Sequence, residues 1–178
     1  MPRNIEIKAR IDSVEALLPT ALTLADGPAE LIVQDDTFFA VPIGRLKLRE
    51  FADGSAELIH YHRPDTQAAK ASDYVRVPVA DAGALRQALT RACGQAGRVL
   101  KRRLLLRVGR TRIHLDRVQG LGDFIELEVV LGESEPDEYG QPVAEHLLHA
   151  LGLADAPRVP GAYLDLLRPT GLKGKGSC

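Results

Sequence analysis

Cysteine is nearly missing from this chain. Cys93 and Cys178 are the only two among 178 residues, and neither belongs to a CxxC pair. No disulfide framework or zinc motif is indicated, and a reducing cytoplasm is the expected home. Long apolar runs are missing too. No stretch approaches 18 apolar residues, and the N-terminus lacks the apolar core of a signal peptide. Neither a membrane span nor secretion is therefore expected. Net charge is also missing: 23 basic and 24 acidic residues leave −1, whereas a general nucleic-acid binder is usually basic overall. Aromatic residues make up 4% of the chain and do not interleave with its basic run at 101–112. That run lacks the stacking platforms of a single-strand binder, so nucleic acid is not an expected partner.

What is present fits an ordinary globular protein. Hydrophobic residues make up 45% and charged residues 26%, typical of a chain that buries a real core. One domain is expected over residues 1–170, with a flexible tail at 171–178. The tail carries glycines and lysines but lacks P-loop spacing and a preceding strand.

The stretch RNIEIKAR at residues 3–10 alternates strictly. Ile5, Ile7 and Ala9 share one face, and Asn4, Glu6, Lys8 and Arg10 share the other, as on a strand. Further strand patterns run over 31–41, 45–51, 55–63, 72–79, 98–109, 110–118 and 122–131. Short turns at 42–44 and 52–54 and a hairpin at Gly109 mark antiparallel pairing. A helix is expected after Asp12, with Asp12 and Glu15 at capping-box spacing and Pro19 kinking or interrupting it. Two more run from Asp81 to Cys93 and from Gln141 to Leu151, and a last amphipathic turn covers 163–167. Strand following strand argues against a parallel sheet. The expected class is α+β: an antiparallel, about eight-stranded β-barrel with helices packed outside.

The charges are sorted by strand. Arg45, Lys47 and Arg49 share one face, as do Lys101, Arg103 and Arg107, while Glu126 and Glu128 share another; Arg112, His114 and Asp116 also alternate. A solvated outer face is the plain alternative, since charged residues are mostly exposed. But solvent faces usually mix signs, because like charges crowded along a strand repel. A polyanion held by the cations and a hard divalent metal held by the carboxylates would explain the sorting.

These motifs together resemble the CYTH superfamily, the triphosphate tunnel metalloenzymes. The likeness runs through NIEIKAR, DDTFFAVPIGRLKLRE, ELIHYHRPD, VLKRR, IHLDRVQGLGDFIELE and AYLDLL. It is nearest to bacterial class IV adenylyl cyclase-like proteins. The resemblance implies a charge-lined tunnel in which the polar face of residues 3–10 points inward. It implies Mg²⁺ or Mn²⁺ and a triphosphate: ATP, inorganic triphosphate or thiamine triphosphate. It also implies roles by position. Glu6, Asp116, Glu126 and Glu128 would serve the metal. Lys8, Arg45, Lys47, Arg49, Lys101 and Arg103 would grip phosphates. Arg10 and Arg112 join them through alternation, and Arg63 and Arg76 if the strand registers hold. Lys8, Glu6 and Arg103 are the expected catalytic residues. The signature departs from the family at Asn4, where a glutamate is usual; an amide brings oxygen but no charge. The expected activity is ATP conversion to cyclic AMP and pyrophosphate. The alternatives are triphosphate hydrolysis and a binding module with little turnover. Removing Glu126 or Glu128 is expected to abolish metal-dependent turnover at little cost in stability. The histidines form no cluster in sequence, Asp35 and Asp36 are expected to set local geometry only, and an outer sheet edge or helix face is available for a homodimer.

Overall fold

The computed structural model describes residues 3–62, 70–71 and 73–167. Nine antiparallel strands form one sheet: β1 Arg3–Arg10, β2 Glu30–Phe39, β3 Arg45–Phe51, β4 Ala56–His62, β5 Lys70–Ala71, β6 Asp73–Val79, β7 Gln95–Val108, β8 Thr111–Val118 and β9 Gly122–Leu131. Eight of these answer to the eight strand patterns, and the ninth, β5, has only two residues. The order across the sheet is β5-β1-β9-β8-β7-β2-β3-β4-β6. Side chains of β1, near one end, and of β6, at the other, line one cavity. The sheet therefore curls on itself, and the expected barrel is realised as a curled half-barrel. Pro78 lies in β6, an edge strand, where a residue without an N–H is tolerated.

Helices α1 Val14–Leu24, α2 Ala82–Cys93 and α3 Gly140–Ala150 cover the outer, convex face, while the short α4 Tyr163–Leu167 returns to the cavity side, where Tyr163 joins the lining. Ile5, Ile7, Ile125, Leu127 and Val129 on β1 and β9 pack with Val14 and Ala21 of α1 and with Ala144, Leu147 and Leu148 of α3. Phe39 and Leu48 on β2 and β3 meet Leu85 and Leu89 of α2. The isoleucines of RNIEIKAR thus face helices, and Asn4, Glu6 and Lys8 face the concave interior. Among the described residues no helix is long and apolar enough to cross a membrane.

Local chemistry differs from expectation at several ends. Ser13, not Asp12, caps α1: its Oγ accepts from the Ala16 N–H at 3.3 Å, while Asp123 Oδ2 accepts from the Val14 N–H at 2.8 Å. Pro19 sits inside α1 without ending it. The apolar stripe of Val14, Leu17, Leu18 and Ala21 packs on the sheet, and that packing outweighs the lost backbone bond. A 3₁₀ turn at Asp137–Tyr139 precedes α3. The tail expected at 171–178 lies outside the described residues.

Candidate active site

The concave face encloses a cavity of about 420 Å³. Strand alternation decides what enters it. From β1 come Asn4, Glu6 and Lys8, from β2 Gln34 and Asp36, from β3 Lys47 and Arg49, from β7 Lys101 and Arg103. Antiparallel register then sets who meets whom. Lys8 lies opposite Glu126 and Glu6 opposite Glu128. Arg103 lies opposite Asp116, and His114 opposite Glu126.

Two buried acids organise the cations. Asp36 on β2 accepts from Lys47 Nζ at 2.8 Å and from Arg49 through two nitrogens at 2.7 Å each. Burial alone would raise its carboxyl, but the Lys47 and Arg49 charges outweigh burial and hold it far below the usual range. Asp116 on β8 is 0% exposed and accepts a two-nitrogen fork from Arg103 at 2.6 Å and 2.6 Å. Tyr163 Oη on α4 also donates to it at 2.9 Å. Arg103 reaches on to Glu126 Oε2 at 2.8 Å, so the guanidinium bridges two strands. The same balance operates at Asp116 and Glu126: burial opposes the charge, and chiefly Arg103 for the first and Lys8 for the second overcome it. Burial pushes the Tyr163 hydroxyl well above 10, with Asp116 adding to the effect, so it remains a donor.

The lysines respond the opposite way. Burial, then the neighbouring Arg103 charge, pushes the Lys101 ammonium down to about 7. Burial and Arg49 bring Lys47 to about 8. Lys8 Nζ donates to the Gly161 carbonyl at 3.2 Å, lies 3.4 Å from Glu126 Oε1 and sits 4.2 Å from the centre of the Tyr163 ring.

The acidic corner lies between β8 and β9. Ligand atoms of His114, Glu126 and Glu128 all fall within 4.8 Å of one another. Arg112 Nε holds Glu128 Oε2 at 2.7 Å. Burial and the Arg103 charge lower the His114 pKa, leaving a neutral ring at neutral pH. Two carboxylates in a cavity otherwise rich in cations are a donor set that fits a divalent ion completing its shell with substrate phosphates.

The structure brings together Glu6, Lys8, Lys47, Arg49, Lys101, Arg103, Arg112, Glu126 and Glu128 around this cavity, with the exposed Arg76 also on its lining. It takes others elsewhere. Arg10 leaves the lining: its Nη1 donates to the Leu121 carbonyl at 2.7 Å, and its guanidinium lies over Phe124. Arg45 instead forks onto Asp165 at 2.9 and 2.8 Å, outside the lining. Asp116 sits behind Arg103 rather than on the lining, its oxygens taken by Arg103 and Tyr163. Arg63 lies outside the described residues. Gln34 and Tyr163 were not expected at the site, and Asp36, expected only to set local geometry, grips Lys47 and Arg49 on the cavity wall. Asp36 does share an alternating face with Gln34 and Phe38, which is the signal that was available. Tyr163 lies in the AYLDLL segment of the resemblance, but its contact with Asp116 depends on the return of α4 from the far end of the chain.

A cation-lined concavity of antiparallel strands, carrying paired carboxylates at one corner, can be compared with known proteins. No curated protein shows significant sequence similarity to the chain. Solved structures do share the fold. The PH1012 protein from Pyrococcus horikoshii OT3 superposes with a TM-score of 0.83 at 22% identity, covering 93% of this chain and 99% of that one. A candidate adenylate cyclase from Vibrio parahaemolyticus gives 0.76 at 19% identity over 92% and 97%. A candidate adenylyl cyclase from Hippeastrum, for which a dominant triphosphatase activity is described, gives 0.64 at 17% over 86% and 89%. A family model for the CYTH domain matches residues 2–163. With nearly the whole chain matched and the curled, charge-lined sheet in place, this protein belongs to the CYTH domain family.

Proposed function

We propose that the cavity binds the triphosphate of ATP or a similar molecule together with a divalent metal, and catalyses attack at phosphorus. One observation carries the reading: Lys8, Lys47, Arg49, Lys101 and Arg103 crowd into a single cavity of about 420 Å³. Repulsion among them is tolerable only if acids or a bound polyanion offset it. Asp36, Asp116 and Glu126 offset part of it from within; a triphosphate would add to that balance and match the guanidinium forks.

Glu126 and Glu128 would hold the metal, Mg²⁺ or Mn²⁺, with Glu6 opposite Glu128 across the β1–β9 ladder. When bound, the metal would draw negative charge from phosphate oxygens. The remaining work falls to the chain. Arg103, fixed in orientation by Asp116 and Glu126, stabilises charge growing on the transferred and leaving phosphates. Asp116 positions Arg103. Lys47 and Arg49, aligned by Asp36, hold the far phosphates. Lys101, with its pKa near 7, takes the proton of the attacking hydroxyl at Nζ.

The first reading is the class IV adenylyl cyclase reaction: the ribose 3′-oxygen bonds to the α-phosphorus and pyrophosphate leaves. The second is hydrolysis of inorganic or thiamine triphosphate, favoured by the triphosphatase activity described for the Hippeastrum protein. One incubation series with Mg²⁺ or Mn²⁺ and ATP, inorganic triphosphate or thiamine triphosphate separates them. Cyclic AMP with pyrophosphate supports the first, and free phosphate the second. Tight binding without product would overturn the enzyme reading and leave a binding module.

A further inference from the structure

We infer that His114 is a third metal-ligating side chain beside Glu126 and Glu128, giving a mixed nitrogen–oxygen site that prefers Mn²⁺ to Mg²⁺. This rests on the reading that Glu126 and Glu128 hold a divalent ion and adds to it a donor and a selectivity. His114 is 4% exposed, lines the cavity, and its Nδ1 is buried without a hydrogen-bond partner. A buried polar atom left in that state costs free energy unless something else occupies the position. Glu126 Oε2 lies 3.8 Å and Glu128 Oε1 3.9 Å from it. Those gaps are too wide to share a proton and narrow enough to share an ion.

The neighbours explain why the ring stays there. Register places His114 between Leu105 on β7 and Glu126 on β9. Leu105 offers the ring no polar partner. Arg103 and Arg112 hold Glu126 Oε2 and Glu128 Oε2, and Glu128 Oε1, which neither of those two pairs takes, also lies toward Nδ1 at 3.9 Å. An imidazole nitrogen changes which ion the site favours. Mg²⁺ takes oxygen ligands in near-ideal octahedral geometry. Imidazole suits later divalent ions, and Mn²⁺ tolerates both donor types while still serving phosphate.

The test uses the full chain and Mn²⁺ alone. Pulsed electron paramagnetic resonance of bound Mn²⁺ should show nitrogen modulation from a directly bound imidazole. Labelling the chain with ¹⁵N-histidine should convert that pattern with no substitution at all. His114→Ala should remove the modulation and shrink the ratio of Mn²⁺ to Mg²⁺ affinity by about tenfold or more, a loss on the scale of altered metal ligation. If His114→Ala fails to fold, loss of the ¹⁵N-histidine pattern in Glu128→Gln still decides, because among the described residues His114 is the one histidine on this cavity's lining. Mn²⁺ that binds in a way sensitive to Glu128→Gln, yet shows no nitrogen modulation, would overturn the role of His114 and leave the carboxylate site standing. Mn²⁺ binding unaffected by Glu126→Gln and Glu128→Gln would overturn both.

Discussion

Asp116 and Glu128 each carry a carboxylate paired with an arginine, Arg103 and Arg112 respectively, yet their removal should do different things. Asp116 is fully buried and holds Arg103 in a two-nitrogen fork. Asp116→Ala strands that guanidinium and should cost about 3–5 kcal/mol in a urea melt. Glu128 is partly buried, its side chain 16% exposed and paired with Arg112; Glu128→Gln keeps the shape of the side chain and should cost about 1–2 kcal/mol, less than Asp116→Ala, while weakening metal binding measured by calorimetry. Glu126 lies between these cases. Arg103 and Lys8 both lean on it, so Glu126→Ala should lose stability as well as turnover. The sequence leads one to expect little loss of stability on removing either glutamate; the partners of Glu126 predict a larger loss there, and urea melts of the two alanine variants decide both. Lys101 makes a pH prediction. Its folded pKa is about 7 against 10.5 for a free lysine. Between those values the unfolded chain binds more protons, so the Lys101 contribution to stability grows as pH rises through that window and is absent below it. As a proton acceptor, the same group should give kcat/KM a limb rising through about pH 7. The kcat limb should lie higher, because bound polyphosphate favours the ammonium. A profile flat from pH 6 to 9 would exclude Lys101 as the base.

Helix α3 approaches the sheet through Gly140. A β-carbon there would lie 2.4 Å from Ile5 Cγ1 and 2.7 Å from Ile5 Cβ, and Ile5 is buried in the core under α3. Gly140→Ala should therefore destabilise by about 1–3 kcal/mol, despite alanine's higher helix propensity. Thermal unfolding checks this, and a stabilised variant would show that α3 can shift outward. Helix α4 closes one end of the cavity through Ala162 and Tyr163. Asp165 ties it to Arg45 and to the Ala162 N–H. This latch explains why Arg45, third cation of an alternating strand, holds an acid of the protein rather than the cavity's contents. Strand patterns, their antiparallel pairing and the three longer helices were legible, because each depends on local periodicity. The cap at Ser13 and the persistence of α1 through Pro19 were not, because Asp123 on β9 and the packed face of α1 decide them from elsewhere in the chain.

Across the whole molecule, a net charge of −1 conceals a local pairing: cations and acids meet on the cavity lining, with the cations in modest excess. The basic run at 101–112 divides accordingly: Lys101 and Arg103 enter the cavity, Arg102 is exposed, and Arg110 pairs with Glu135. No continuous basic stripe remains, and oligonucleotide binding with a steep salt dependence is not expected. A triphosphate should instead stabilise the fold. At a hundred times Kd, binding contributes about 2.7 kcal/mol, a rise of about 5–10 °C in Tm for a chain of this length. Lys47→Gln should reduce the rise measured with inorganic triphosphate. No rise for the wild-type chain would count against the cavity as a triphosphate site.

The sequence by itself determined which residues share a face. Alternation of period two follows from the backbone of a strand, and sorted charges then identify the face that needs a partner. Within RNIEIKAR it also marked Asn4 as the departure, and Asn4 does stand buried on the cavity wall. Only the tertiary structure decided which charges meet. Register set Asp36 on Lys47 and Arg49, withdrew Asp116 behind Arg103 and brought His114 to the two glutamates. The curl of the sheet and the return of α4 sent Arg10 and Arg45 to other partners. Period-two alternation specifies a direction, but a neighbour depends on how strands far apart in sequence are aligned.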